Sequence, residues 1–220
     1  MDVREAVARR TSVRAFKPER PSAAVVRAIL EGAARAPSGG NLQPWHVHAL
    51  AGEPLAQLLQ RVAAAPLQVP PEYAVYPPDL WEPYRTRRWR NGEQLYAAIG
   101  IPREDKAARL QQMAKNARFF GAPVGIFLSV DRGMGPPQWA DLGMYLQTVM
   151  LLATEQGLDT CAQEYWAFCA QPVRDFLGLP PERMLFAGLA LGWRDESAPI
   201  NQWRSERDPF EAWGEMRGFD

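Results

Sequence analysis

Two cysteines and two histidines among 220 residues leave little for covalent or metal chemistry. Cys161 and Cys169 show neither a Cys-x-x-Cys redox spacing nor a metal-site pattern, so reduced core thiols are expected. His46 and His48 fall on one side of a strand-like run, but no carboxylate or thiol lies nearby in sequence to complete a metal site, and none is assigned. Net charge is lacking too: 25 Lys and Arg balance 25 Asp and Glu. That excludes an overall basic field for nucleic acid or a membrane surface, and makes any phosphate site a local one. No run approaches the ~20 apolar residues of a membrane span, and the N-terminus lacks the apolar core of a secretory signal, so the cytoplasm is the expected compartment. Nor does a Gly-x-Gly-x-x-Gly follow a strand. Gly133-x-Gly135 runs straight into Pro136-Pro137, and no dedicated dinucleotide fold is expected.

What is present is ample apolar material, 47% of the residues, with no clear division. One domain over 1–220 is expected. A stripe of Val3, Ala6 and Val7 gives a first helix, and Ser22 caps a second carrying Val26, Ile29, Leu30 and Ala33 on one face. Trp45 to Leu50 alternates as a half-buried strand, followed by a helix with Leu55, Leu58, Leu59 and Val62. From Pro66 to Trp89 six prolines interleave with Tyr73, Tyr76, Trp81, Tyr84 and Trp89. That density excludes regular helix and predicts an extended arm, packed down by its aromatic residues, with Arg85, Arg87, Arg88 and Arg90 along its end. Leu110, Met113, Ala114 and Ala117 form the stripe of the next helix, leading to Phe119 and Phe120. Val124 to Val130 and Met184 to Leu191 are buried strands. Between them a broadly apolar helix, Trp139 to Gln156, belongs in a core or a subunit interface and ends at Gly157, before a short helix near Pro172.

Two stretches carry chemistry. Arg9-Arg10-Thr11-Ser12-Val13-Arg14 gathers three guanidinium groups and two hydroxyls where the first helix ends, enough to surround a phosphate dianion at roughly 1.5–3 kcal/mol per sheltered charged hydrogen bond. Pro37-Ser38-Gly39-Gly40-Asn41-Leu42-Gln43-Pro44-Trp45 is an ordered loop. Its paired glycines allow close approach of a flat ligand, its prolines stiffen both ends, and the amides of Asn41 and Gln43 suit a heterocycle edge that carries N–H and C=O groups.

Arg10-x-Ser12-x-Arg14 followed by Pro37-Ser38-Gly39-Gly40-Asn41-x-Gln43-Pro44-Trp45 resembles the N-terminal signature of the FMN-dependent nitroreductase family, and the likeness runs through essentially the whole chain. The proline-rich arm is similar to that of the nitrobenzoate-reductase-like branch. The resemblance implies an α+β fold with a central, mainly antiparallel sheet flanked by helices, and a C-terminal tail exchanged between the subunits of a homodimer. It implies FMN as cofactor, NAD(P)H as electron donor, and a nitroaromatic or quinone-like acceptor reduced by a ping-pong mechanism with no catalytic side chain. On this likeness Arg10, Thr11 and Ser12 hold phosphate, Arg207 and Arg204 close that site, and Arg14 faces the charge of the reduced ring. Asn41 and Gln43 read the ring edge, and the backbone of Pro37, Ser38 and Gly39 lines the ring from the opposite subunit. Gln163 and Glu164 fall near flavin N5, although Tyr165 stands where many relatives carry glycine. Other FMN reactions on the same scaffold, such as dehalogenation or dehydrogenation, and a non-catalytic flavin-binding role stay open. The arm and Phe119 or Phe120 are expected to decide the acceptor.

Overall fold

The computed structural model describes residues 1–219. Four strands, β1 (His46–Ala51), β2 (Val124–Asp131), β3 (Asp159–Gln163) and β4 (Arg183–Gly192), form one sheet in the order β1-β2-β4-β3, antiparallel at every pairing. The helices are α1 (Val3–Arg9), α2 (Ala23–Ala33), α3 (Gly52–Ala64), α4 (Tyr84–Ala98), α5 (Lys106–Ala114), α6 (Pro136–Glu155), α7 (Ala170–Leu177) and the short α8 (Pro199–Gln202). This is the expected α+β architecture.

Strand β2 is buried on both faces, which is why it shows no polar alternation. Val124, Ile126, Leu128 and Val130 pack against α2 through Val26, Ile29 and Ala33, and against α6 through Leu142, Tyr145 and Val149. Phe127 points the other way, into a cluster with Leu55 and Leu58 of α3, Val173 of α7, and Trp166. The alternation along the strand thus feeds two cores, one on each side of the sheet. Local signals set the helix ends. Ser22 caps α2 by accepting from the Val25 amide at 3.3 Å, and Pro136 opens α6 where a missing N–H costs nothing. Gly157, at φ +71°, follows the end of α6 in the left-handed conformation that a side chain disfavours.

Two glycines make room for aromatic rings in the second core. A Cβ on Gly188 of β4 would lie 2.2 Å from Trp166, and one on Gly125 of β2 would lie 2.4 Å from Phe119. The rings of Phe119, Phe127 and Trp166 therefore sit against the sheet backbone, with centroids 4.5–5.3 Å apart.

Several expectations need correction. Helix begins at Tyr84, directly after Pro83, so Arg85 to Arg90 lie on α4 and not on an extended arm; proline restricts the turn before it but is tolerated at a helix entrance. Upstream, the arm is tied to the body by Gln68 N–H to the Phe168 carbonyl, Glu72 N–H to the Ala167 carbonyl, and the Tyr73 hydroxyl to the Phe186 carbonyl. The stripe on α5 faces outward: Leu110 and Met113 are exposed, as are Val3 and Val7 on α1, and only Ala6 of that helix is buried. Phe119 and Phe120 are buried in the core at positive φ. Strand β3 lacked an apolar run long enough to announce it; five residues with Asp159, Thr160 and Gln163 carry little pattern.

Candidate functional site

The chain between α1 and α2 is what places the arginines. Val13 is 1% exposed and donates its N–H to the Thr160 carbonyl at 3.0 Å, so residues 12–13 run alongside β3. Lys17 N–H then bonds the Trp193 carbonyl at 2.8 Å, and Asp195 N–H the Ala15 carbonyl at 3.0 Å. Because Val13 is pinned inward, its neighbours Ser12 and Arg14 are turned to the other side of this extended segment. Asn201 fixes the segment further, accepting from the Arg14 backbone N–H at 2.9 Å and donating to the Ala15 carbonyl at 2.8 Å.

On that outer side lies a cavity of about 650 Å³. Arg10, Ser12, Arg14, Arg204 and Arg207 line it together, although nearly two hundred residues of sequence separate the two groups. Asn91 of α4 and Gln147 of α6 complete its polar wall, and no carboxylate lines it among the described residues. Burial first, then the guanidinium groups of Arg207 and Arg204, lower the pKa of Arg10 below the ordinary arginine value. Arg204 donates to the Ala8 carbonyl, Arg207 to Ser205 Oγ at 3.0 Å, and Arg14 to the Ser12 carbonyl at 3.2 Å. All of these acceptors are neutral, so the positive charge of the cavity is left unbalanced. Thr11 touches the cavity too, but its hydroxyl accepts from Arg194, which is paired with Asp159; its part is to hold the segment.

The Pro37–Gln43 loop is built differently. Gly39–Asn41 forms a single 3-10 turn in which Gly40 and Asn41 have positive φ, at +57° and +56°, and Gln43 just after it has φ +48°. Such a backbone persists only where surroundings over-determine it. Here Ser38 Oγ accepts from Gln43 N–H at 3.0 Å, Gln43 Nε2 donates to the Asn41 carbonyl at 3.3 Å, and Gly39 N–H donates to Asp141 of α6 at 3.3 Å. Pro37, Ser38, Gly39, Asn41 and Gln43 do not line the arginine cavity of their own chain.

Gln163 ends β3 with its side chain turned inward. Its Nε2 donates to the Asn116 carbonyl at 2.9 Å, and its Oε1 accepts from Trp166 Nε1 at 3.4 Å. Its side chain is therefore committed within the fold, and Gln163 pairs with Gly188 across the sheet. Glu164 opens the following 3-10 segment, Glu164–Cys169, and is exposed.

Sequence reasoning missed Asn91, Gln147, Asn201 and Asp141. The signal for Asn91 was its four-residue spacing from Arg87 on a helix, which the proline-rich stretch before it concealed. Asn201, Gln147 and Asp141 act through contacts far away in sequence and leave no local mark.

Comparison with known proteins agrees with this geometry. The profile described as "Nitroreductase family" matches residues 7–193. The chain is 40% identical over 200 residues to a nitrobenzene nitroreductase of Ectopseudomonas oleovorans, covering 88% of this chain and 87% of that one. It is 38% identical over 217 residues to a 4-nitrobenzoate reductase of Pseudomonas putida, covering 97% and 95%. Among solved structures, the FMN and NADPH-dependent nitroreductase NfnB from Sphigopyxis sp. strain HMH superposes with a TM-score of 0.96 at 48% identity, over 100% of both chains. The FMN-dependent NfnB from Mycobacterium smegmatis, solved in complex with NADPH, gives 0.90 at 31% identity, covering 98% of this chain and 100% of that one. With a matching profile across most of its length and relatives of this identity, the chain belongs to the nitroreductase family.

Proposed function

We propose that this protein is an FMN-dependent nitroreductase that oxidises NAD(P)H and reduces nitroaromatic or quinone-like acceptors. The observation that carries the reading is the arginine cavity: Arg10, Arg14, Arg204 and Arg207 converge on about 650 Å³ with no carboxylate among the described lining residues. Like charges brought this close repel, and a bound anion relieves that repulsion. FMN fits, because its phosphate matches the guanidinium cluster and its ring needs polar groups near one edge.

When bound, FMN supplies the hydride chemistry, and the protein's part is binding, orientation and electrostatics. Arg10 and Ser12, with Arg204 and Arg207, hold the phosphate. Arg14 lies in the same cavity, where its guanidinium would offset negative charge on the pyrimidine side of the ring. Asn91, on the cavity wall, offers both a donor and an acceptor to that edge. Backbone N–H groups at Gln163 and Glu164 are the donors assigned to the N5 side. Overall, one NAD(P)H and one proton convert a nitro group to a nitroso group and water. Solvent delivers the proton, so no acid or base is assigned.

The Pro37–Gln43 loop completes the ring pocket from a second copy of the chain. Two facts support a homodimer: the loop does not line its own chain's cavity, and apolar side chains stand exposed on α1 (Val3, Val7), on the loop (Leu42) and on the tail (Met216, Phe219). In the dimer the tail beyond Trp213 crosses to the partner. Donor and acceptor then use one ring face in turn, which gives ping-pong kinetics and parallel double-reciprocal plots.

The test is the visible spectrum of the purified protein. A bound flavin spectrum that anaerobic NADPH bleaches, and that 4-nitrobenzoate or nitrobenzene restores, is expected. Yellow protein that NADPH fails to bleach overturns the enzymatic reading. Colourless protein that cannot be reconstituted with FMN overturns the cofactor.

A further inference from the structure

A second cavity, about 560 Å³, opens between α4 and the tail. It shares Asn91 and Arg207 with the arginine cavity, so the two are neighbours along one basic valley. Its walls carry Arg87, Arg88 and Arg90 from a single turn of α4, against Glu206 and Asp208 of the tail. The charges do not cancel. Arg87 is paired with Asp208, which ties helix to tail. Arg88 and Arg90 have no carboxylate within ion-pair distance among the described residues. The Arg88 guanidinium lies 4.3 Å over the Tyr76 ring, and Tyr76 and Trp213 provide flat apolar wall. α4 itself buries no residue, so packing does not explain this cluster.

Unpaired guanidinium groups beside aromatic faces suit a ligand that joins a phosphate monoester to a planar base. We infer that this cavity is the subsite for the phosphorylated adenosine end of NADPH, with Arg88 and Arg90 binding its 2′-phosphate and Tyr76 or Trp213 facing the adenine. The inference rests on the proposed hydride chemistry and adds to it the basis for choosing between donors. NADH differs from NADPH by that one phosphate, so a donor preference requires cations that meet it and nothing else. The absence of a Gly-x-Gly-x-x-Gly loop fits, since such a subsite lies on a helix face and a tail, not in a dinucleotide fold. Both arginines are on the surface of a helix, where alanine favours the helix and surface substitution leaves the fold intact.

The experiment measures kcat/KM with NADPH and with NADH for the FMN-loaded wild-type protein and for R88A/R90A. Wild type is expected to prefer NADPH, and the double variant to lose that preference by about tenfold or more, as expected for charged contacts to a dianion, with its flavin spectrum unchanged. A wild type without preference, or a ratio that stays within twofold in the variant, overturns the inference. Calorimetric binding of adenosine 2′,5′-bisphosphate and of 5′-AMP to the FMN-loaded protein separates this result from failure of the reading beneath it, because neither probe needs hydride transfer. Tighter binding of the bisphosphate that R88A/R90A abolishes supports the subsite. Equal binding of the two, or binding indifferent to the substitutions, sinks it, whereas a flavin that NADPH never bleaches sinks the proposed reaction and leaves the binding result to stand on its own.

Discussion

The Gly39 backbone N–H points at the carboxylate of Asp141, 3.3 Å from each oxygen, and so ties the positive-φ loop to the second turn of the sheet's longest flanking helix. Asp141 is 5% exposed and has no cationic side chain within ion-pair distance among the described residues. A buried carboxylate with one shared N–H is costly to fold stability and is retained for what it holds. Its two roles predict opposite responses. D141N keeps an acceptor and removes a buried charge, so thermal stability is expected to stay level or rise. D141A removes the acceptor and frees the loop, so FMN is expected to bind about tenfold more weakly, on the order of 1–1.5 kcal/mol for one hydrogen bond to a charged group. Thermal melting and flavin release, measured on both variants, check the split. Equal flavin affinity in D141A and wild type would show that the bond leaves the loop's function untouched.

The arginines offer a more direct test. Arg10 and Arg14 flank the inward-pinned Val13, and both line the cavity that Arg204 and Arg207 close. Removing two charge-assisted contacts of roughly 1.5–3 kcal/mol each is expected to weaken FMN by at least a hundredfold in R10A/R14A. The strand pairing through Val13 N–H and the Thr160 carbonyl is backbone only, so the variant should stay folded and become colourless. Absorbance per folded protein after gel filtration measures it. Undiminished yellow colour is the outcome that removes these two residues from the FMN site.

How much of this was legible beforehand follows from how local each feature is. The alternating arginines and the Pro37–Gln43 loop are short-range patterns and could be recognised directly, as could β2, whose uninterrupted apolar run reflects cover on both faces. The convergence of Arg204 and Arg207 on Arg10 came from family likeness, since no spacing rule spans that separation. Asp141, Asn201 and Asn91 were invisible because each acts across the fold on a single partner or cavity. Proline density misled at Tyr84: it describes the turn that precedes α4, and says little about the residues after the last proline. Leu110 and Met113 misled in another way, for an apolar stripe tells that a face seeks cover without telling whether its own chain supplies it.

Gly188 and Trp166 test the packing beneath Gln163. A methyl group on Gly188 would meet the indole at 2.2 Å from Cδ1, and Trp166 is fully buried, with nowhere to retreat. Overpacking of this kind typically costs about 1–3 kcal/mol, and each kcal/mol lowers the melting temperature of a chain this size by roughly 2–4 °C. G188A is therefore expected to melt several degrees below wild type. The displaced indole also loses its bond to Gln163 Oε1, so flavin affinity should fall alongside stability. Glycine at 188 paired with W166F opens space instead of filling it and loses the same bond, so a G188A melting temperature matching wild type, with flavin loss confined to W166F, would show that the slot is not the constraint.

The two histidines set the pH response of folding near neutrality. Burial, with a further contribution from the Arg183 guanidinium, holds both His46 and His48 below the ordinary histidine pKa; Asp131 offsets part of this for His46, and His48 Nδ1 is buried without a partner. The unfolded chain takes up its protons at about pH 6.5, and the folded chain only at lower pH. Between those values the unfolded state binds more protons, so stability is fully present above about pH 6.5 and is lost as pH falls through the folded pKa values. They are the only histidines in the chain, and ordinary carboxylates titrate lower, at about pH 4. H46Q/H48Q cannot take up these protons. Urea midpoints measured from about pH 7.5 down to about pH 5 should therefore fall more steeply for wild type than for the double variant, the two curves separating only below about pH 6.5. Parallel curves across that range would mean that neither histidine is held neutral by the fold.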